Sequence, residues 1–384
     1  MSGLWGNYRK KLRLWNNDRR LLHESNYYLQ KFAEMRLNVP DDNALRAELR
    51  ETFPGLIAKK KGELSIIALY HHYNWEDEAL KPSLQKFGRV RHYDWFSKSD
   101  HANKDWHRLM KKKMNQDLIN QINTWMAEEK ADAIFTYLSG ERVEPDAVKE
   151  IRAHNVPIIN LALNDKEHFV GKIRNRRAWG ARDICRHFDL CWTSTEDSLI
   201  KYCVEGARPL YLPEGANPQI HKPHNVEKNI DVSFVGQCYG NRAAIINTLK
   251  EKNIAVKAYG WGWPDGPLST EEMVKMYSRS KINLGFSGVA GHSNTFCLKG
   301  RDFEIPMSGG LYLTEDHPEL ARAFQPGKEI LTYSGIDDLV AKIRYYLTHP
   351  DKAEEIRKEG YQRALREHTW EMRFARIFRL LGIL

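Results

Sequence analysis

At 384 residues, 42% hydrophobic and 28% charged, the chain has the make-up of a globular protein with room for two cores, and no low-complexity tract or internal repeat interrupts it. Lys and Arg outnumber Asp and Glu by 59 to 50, a net charge of +9 and a pI near 9.1, which favours anionic partners such as nucleotide diphosphates or lipid headgroups. Membrane-spanning and secreted disulfide-rich classes are not expected: no apolar run nears the roughly 20 residues of a span, the N-terminus lacks a signal-peptide core, and the five cysteines are odd in number without a Cys-x-x-Cys pair.

From the N-terminus, Tyr8, Trp15, Leu22 and Leu29 recur every seven residues, with Leu12 and Ala33 on the adjoining stripe. That spacing predicts one amphipathic helix, ended at Asn38-Val39-Pro40. Arg19 and Asn26 break the second stripe, so a long coiled coil is not expected. A second helix is expected from Asp41/Asp42 to Glu51, closed by Phe53-Pro54-Gly55. Residues 1–60 thus read as a helical extension packed on the first domain. Trp5, Tyr8 and Trp15, set among Arg9, Lys10, Lys11 and Arg13, also fit a helix lying on a membrane surface. A peripheral contact with the inner face of the membrane is therefore the alternative expectation for an otherwise cytoplasmic protein.

Residues 61–225 alternate apolar strands with amphipathic helices. Strands are expected at Leu64–Tyr70, in RVRHYDWF, ADAIFTYLSG and VPIINLAL, and again before and after the helix of CWTSTEDSLIKYCVEGARPLYLP. The alternation predicts a parallel, doubly wound sheet, with ligands beyond the carboxyl ends of the strands. Three loops qualify: His71–Glu76, Ser139–Glu144 and Asn164–His168. Chemistry in such a crevice that takes a proton from a hydroxyl needs a general base, a task for Asp, Glu or His. Asp165 is the first candidate and His72 the second; His168 and Trp75 are weaker. Capping of the next helix by Asp165, and a loop hydrogen bond for His72, are the structural alternatives. Cys185 and Cys191 read as core, and Glu214-Gly215-Ala216-Asn217-Pro218 as an architectural linker.

Residues 226–365 repeat the pattern. IDVSFVGQ is a strand running into Gly236, and the helix Asn241–Lys250 comes next with Arg242 at its start. Strand, glycine turn and helix N-terminus make a phosphate site by geometry and dipole. AVKAYGWGW and KINLGFSG supply further strands. Gly291-His292-Ser293-Asn294-Thr295 is a loop and N-cap that offers Ser293, Asn294 and Thr295 to an anion. KGRDFEIPMSGGLYLTED then reads as helix, Ser-Gly-Gly turn and strand, with Lys299, Arg301 and Glu304 within six residues. Positions three apart share a helix face, so Arg301 and Glu304 can enter one pocket; a surface helix with an internal Arg–Glu pair is the plainer alternative. KEILTYS is the last strand. Residues 366–384, including the amphipathic TWEMRFARIFRLL, are expected to cross back to the first domain.

KGRDFEIPMSGGLYLTED, with DVSFVGQCYGNR upstream and HPELARAFQPGKEI and DDLVAKIRYYLTHP downstream, resembles the C-terminal signature of CgeB-like glycosyltransferases, a branch of the two-domain GT-B enzymes that use nucleotide sugars. The resemblance covers residues 150–384, more weakly from about residue 64. It implies a GT-B α/β fold: two Rossmann-like parallel-sheet domains facing a cleft, the first on the acceptor side and the second holding the donor. It further implies that Glu304 holds the nucleotide ribose, that basic residues nearby hold the diphosphate, and that an Asp comes after the strand VPIINLAL, as Asp165 does here. Many retaining relatives carry a second glutamate eight residues before the first. Here that position is Phe296, so neither stereochemistry nor the sugar carries over.

The expected function is transfer of a sugar, a hexose by preference, from a nucleotide-diphosphate sugar to a glycan, lipid-linked or protein acceptor. No cofactor is expected. No Asp-x-Asp motif is present, so cationic side chains and helix amides take the place of a metal. A catalytically silent nucleotide-sugar binder or assembly scaffold is the alternative. Nucleic acid is not an expected partner, because the basic residues are spread along the chain.

Overall fold

The computed structural model describes residues 2–71, 76–289 and 295–384. Residues 2–71, Lys81–Pro213 and Phe374–Leu384 form one compact unit; Glu214–Arg373, with the helical turn Glu76–Leu80, forms the other. Both contain the parallel sheet that the alternation of strands and helices predicts.

In the first unit the strands are β1 (Leu64–Leu69), β2 (Gly88–Tyr93), β3 (Ala133–Thr136), β4 (Ile158–Ala162), β5 (Ile173–Arg174), β6 (Arg177–Ala178), β7 (Leu190–Thr193) and β8 (Pro209–Tyr211). Six of these form one sheet in the order β2-β1-β3-β4-β7-β8, every pairing parallel. The short β5 and β6 stand apart as an antiparallel hairpin. Strands β1, β3 and β7 are buried along their whole length, as runs such as LSIIAL require when both faces are covered. Residues Phe374–Leu384 return to this unit's core. Phe374 packs against Phe135 and Trp192 at ring distances of 5.3 and 5.8 Å, and Phe378 against Phe87 at 5.1 Å. The Lys59 amide donates to the Ile383 carbonyl at 3.0 Å.

The second unit holds β9 (Ile230–Val235), β10 (Val256–Tyr259), β11 (Ser280–Leu284), β12 (Tyr312–Glu315) and β13 (Leu331–Tyr333) in the order β10-β9-β11-β12-β13, again all parallel. The helix Gly300–Met307 is not a surface helix: Asp302 through Met307 are buried.

The N-terminal helix runs over Ser2–Glu34 and the second over Asp42–Thr52, capped by Asp41, which accepts from the Ala44 amide at 2.8 Å. The sevenfold stripe does not face the protein. Trp15, Leu22 and Leu29 are 52%, 62% and 52% exposed, whereas Glu24 and Tyr28 are buried. The Lys201 ammonium meets Glu24 at 2.8 Å, and the Tyr28 hydroxyl donates to Glu205 at 2.7 Å. Polar partners on and beside the helix Leu199–Val204 set the packed face, and polar partners are invisible to a count of apolar spacing. Among the described residues no helix is long and apolar enough to cross a membrane.

Candidate active site

In the second unit, the carboxyl ends of β9, β11 and β12 bring together residues from distant parts of the chain. Gly236 comes directly after β9. A Cβ there would stand 2.9 Å from both the Arg301 Nη1 and the Phe234 Cζ, so only glycine admits the guanidinium this close. Arg242 reaches the same place from the start of the helix Arg242–Glu251. Its guanidinium donates to the Gln237 carbonyl at 2.9 Å and the Tyr239 hydroxyl at 3.1 Å, and it lies 3.9 Å over the Tyr239 ring. The Phe234 ring has Arg242 at 5.3 Å and Arg301 at 5.5 Å. Burial, reinforced by the Arg301 charge, draws Arg242 down to about 10. Arg301 is half-buried and donates no hydrogen bond to any described residue, and neither arginine has a carboxylate within ion-pair distance among them. Two guanidiniums held together with no carboxylate in ion-pair contact keep donors free for an anion.

Three carboxylates accompany them. Asp302 accepts from the Lys299 amide at 2.6 Å and from the Tyr312 hydroxyl at 2.5 Å, which pins the helix N-terminus to β12. Glu304 is 8% exposed, and its carboxylate makes no hydrogen bond among the described residues. Its Oε1 lies 3.9 Å from the Nε2 of His221, whose Nδ1 accepts from the Asn217 amide, so Nε2 carries the proton and is directed at Glu304. Glu214 closes the group. A Cβ on Gly300 would lie 2.9 Å from Glu304 Oε1 and 3.3 Å from Glu214 Oε2. Burial lifts both carboxyls, Glu304 to about 7 and Glu214 to about 8, with the Glu304 charge adding to the rise at Glu214. Burial thus keeps both carboxyls protonated to a pH well above that at which an ordinary glutamate ionises.

Lys299 has a different part. Its ammonium donates to the carbonyls of Phe286 and Gly288 at 3.0 Å each, which ties the helix start to the loop after β11. Thr295 accepts from the Val289 amide at 2.8 Å through its backbone carbonyl. Ser293 and Asn294 lie outside the described residues. Of the donor-side residues named from sequence, Gly236, Arg242, Arg301 and Glu304 gather in one place, and Lys299 supports them from behind. Glu214, His221 and Tyr239 join the site without a motif to announce them; a glycine at position 300, opening a helix where a side chain would ordinarily fit, is the one local sign of the crowding.

In the first unit a cavity of about 360 Å³ lies beyond β1, β3 and β4, lined by His71, Trp95, Arg142, Asp165, Lys172 and Trp179 among others. Asp165 opens the short helix Asp165–His168 and is 3% exposed. The Tyr202 hydroxyl donates to its Oδ2 at 2.9 Å, while Oδ1 has no hydrogen-bond partner. Burial raises the carboxyl to about 6, against the lowering pull of the Thr193 and Tyr202 hydroxyls and the Lys201 charge. His72 lies outside the described residues. Its neighbour His71 does line the cavity, with Nδ1 3.3 Å from Asp94 Oδ1 and its ring stacked on Phe96 at 4.0 Å. Asp94 also caps the turn that begins at Trp95, so it orients the imidazole from a fixed position.

Residues 242–379 match a family model described as glycosyl transferase-like. No curated protein sequence matches the chain. Among solved structures, it is similar to a sucrose-phosphate synthase from Thermosynechococcus elongatus, at 12% identity and TM-score 0.59, covering 83% of this chain and 99% of that one. A glycosyltransferase from Rickettsia africae is similar at 10% identity and TM-score 0.59, over 84% and 99% of the two chains. HepE from Anabaena, in complex with UDP and glucose, is similar at 8% identity and TM-score 0.54, over 83% and 100%. At these identities the likeness is one of fold: the two parallel sheets of this chain are those of the GT-B glycosyltransferase structures.

Proposed function

We propose that this protein is a glycosyltransferase of the CgeB-like kind, which moves a sugar, a hexose by preference, from a nucleotide-diphosphate sugar to an acceptor hydroxyl. The observation that carries the reading is the pair Arg242 and Arg301, held around Phe234 beside Gly236 with no carboxylate paired to either among the described residues. Such a pair suits a diphosphate, whose charge grows as the bond from the anomeric carbon to the phosphate oxygen breaks. Glu304, on the same helix as Arg301 and with its carboxylate free of other hydrogen bonds among the described residues, is suited to ribose hydroxyls. The glycosyl transferase-like match over residues 242–379 and the UDP complex of HepE support the assignment.

On the acceptor side, Asp165 is the base we favour, because it lines the cavity and a carboxyl raised to about 6 takes a proton more readily than an ordinary one while remaining ionised at neutral pH. His71, oriented by Asp94, stands second. The proton of the acceptor hydroxyl passes to this base as the oxygen attacks the sugar. The deciding experiment is calorimetric titration with UDP-glucose and other nucleotide sugars, followed by release of nucleoside diphosphate with and without acceptor. Binding without turnover across a broad acceptor panel would turn the assignment to a silent binder.

The exposed Trp15, Leu22 and Leu29, with the Arg19 guanidinium 4.7 Å over the Trp15 ring, favour a peripheral membrane contact through the N-terminal helix. Cosedimentation with vesicles rich in phosphatidylglycerol tests it. Equal recovery of wild type and a Trp15→Ser/Leu22→Ser/Leu29→Ser variant in the pellet would remove the helix from this role.

A further inference from the structure

The cavity of the first unit is cationic and aromatic at its rim, and a basic hairpin rises from it. Lys172 and Trp179, at the two feet of the β5–β6 hairpin, both line the cavity, joined by a Trp179 amide bond to the Lys172 carbonyl at 2.8 Å. The Lys172 ammonium lies 5.2 Å over the Trp179 ring, whose indole also stacks on His107 at 4.3 Å. Across the cavity Arg142 lies 4.7 Å over Trp95, and the buried Trp95 Nε1 has no hydrogen-bond partner. The acidic groups at this cavity are Glu141, 3.4 Å from Arg142, Asp165 in its wall, Asp94 beside His71, and Glu144, paired with Lys111 and Arg177. Lys172, Arg174 and Arg176 are exposed and have no ion-pair partner among the described residues. Beside Trp179, His107 is lowered by burial and then by the Arg174 charge.

The hairpin tip carries an independent sign. Asn175 and Arg176 both have left-handed backbone, φ of 50° and 62°. Asparagine suits that conformation; arginine does not, and the position would be better served by glycine or asparagine. The exposed Arg176 side chain makes no contact among the described residues that offsets the strain. The tip thus presents an arginine, with no hydrogen bond or ion pair of its side chain among the described residues, next to Lys172 and Arg174.

We propose that this cavity and hairpin bind a phosphate ester of a sugar or polyol, so that the acceptor carries phosphate close to the hydroxyl to be glycosylated. Guanidinium and ammonium groups from Arg142, Lys172, Arg174 and Arg176 take the phosphate, and Trp179 and Trp95 provide apolar walls for the sugar or polyol. The inference rests on the reading of this cavity as the acceptor side.

The test is calorimetric titration of the full chain with glucose 6-phosphate, glucose and UDP in parallel, at low and high salt. Glucose 6-phosphate is expected to bind at least tenfold more tightly than glucose, and to weaken as salt rises. A Lys172→Ala/Arg174→Ala/Arg176→Ala variant should lose at least tenfold in glucose 6-phosphate affinity while binding UDP as before. Arg176→Asn should weaken glucose 6-phosphate while leaving the unfolding midpoint unchanged or higher, an outcome a purely structural hairpin would not give. Vesicles containing phosphatidylglycerol, added as competitor, distinguish a lipid-borne phosphate from a soluble one: competition assigns the acceptor to lipid, none assigns it to a soluble ester. No preference for glucose 6-phosphate over glucose, or unchanged affinity in the triple variant, would overturn the proposal. Failure of UDP to bind, with glucose 6-phosphate still bound, would instead strike the glycosyltransferase reading.

Discussion

The carboxylates of Glu214 and Glu304 converge on Gly300 from distant parts of the second unit's sequence, close enough that a methyl group on that glycine would touch both. The pairing has a measurable cost. In the unfolded chain both residues ionise at ordinary carboxylate pH, whereas burial holds the folded carboxyls protonated to about 7 and 8. The folded state therefore binds more protons between those limits, and its stability declines as pH rises from about 5 to 8.

Glu214→Gln replaces a carboxyl with an amide that can donate to Glu304 without ionising. It should be more stable than wild type at pH 8, on the order of 2 kcal/mol, with the difference shrinking toward pH 5. Urea unfolding midpoints at the two pH values measure this. A gap of the same size at both would mean that the folded Glu214 carboxyl is not held protonated.

Glu304→Gln should reduce nucleotide affinity on the order of 1.5–3 kcal/mol, roughly tenfold to a hundredfold, through loss of a charge-assisted bond to the ribose. Arg301→Ala should weaken UDP and UDP-glucose together and spare uridine, because only the diphosphate is touched. Calorimetry on the three ligands separates the roles. Wild-type affinity in Glu304→Gln would withdraw the ribose assignment.

Gly236→Ala offers a finer probe. Its methyl would stand 2.9 Å from a guanidinium nitrogen of Arg301, the far end of a flexible side chain, and as near to Phe234. The guanidinium should yield, displacing Arg301, while the positive φ of 157° at this position and the buried Phe234 ring add a stability cost. We expect at least tenfold weaker UDP binding with a lowered unfolding midpoint. A folded variant with intact affinity would separate the glycine from the diphosphate site.

Asp165→Asn should leave UDP-glucose binding intact and lower transfer to acceptor by at least a hundredfold. In the wild type, kcat/KM should fall as pH drops through about 6, where the carboxyl takes up a proton. Equal loss in His71→Ala with a normal Asp165→Asn would move the base to the histidine.

Binding and turnover should also persist in a chelator, because arginines carry the charge that a metal would otherwise neutralise. Loss of UDP affinity on adding EDTA, restored by Mg²⁺ or Mn²⁺, would refute the cationic account.

The sheets were legible because a strand buried on both faces is mostly apolar, and runs such as LSIIAL and AIFT announce themselves. Arg301 and Glu304 were legible through helix spacing and the resemblance that surrounds them. The orientation of the N-terminal helix was not, because its packed face is chosen by Glu24 and Tyr28 meeting Lys201 and Glu205, partners that no periodicity reports. Glu214 was hidden for the same reason: a carboxylate in a linker becomes part of a site only when the fold sets it against Glu304. Lys299 looked like a ligand by its charge, yet its ammonium is taken up by two carbonyls.

The packing of Phe374 and Phe378 against Phe87, Phe135 and Trp192, with the backbone bond from Lys59 to Ile383, bears on how the protein is made. A ribosome delivers the strands of the first unit early, yet the aromatic side chains that finish its core arrive only after the whole second unit has been translated. The first half cannot mature while the second is being synthesised. Aromatic surface of the first unit therefore stays uncovered until these last residues have left the exit tunnel, so the order of synthesis and the order in which its core closes do not coincide.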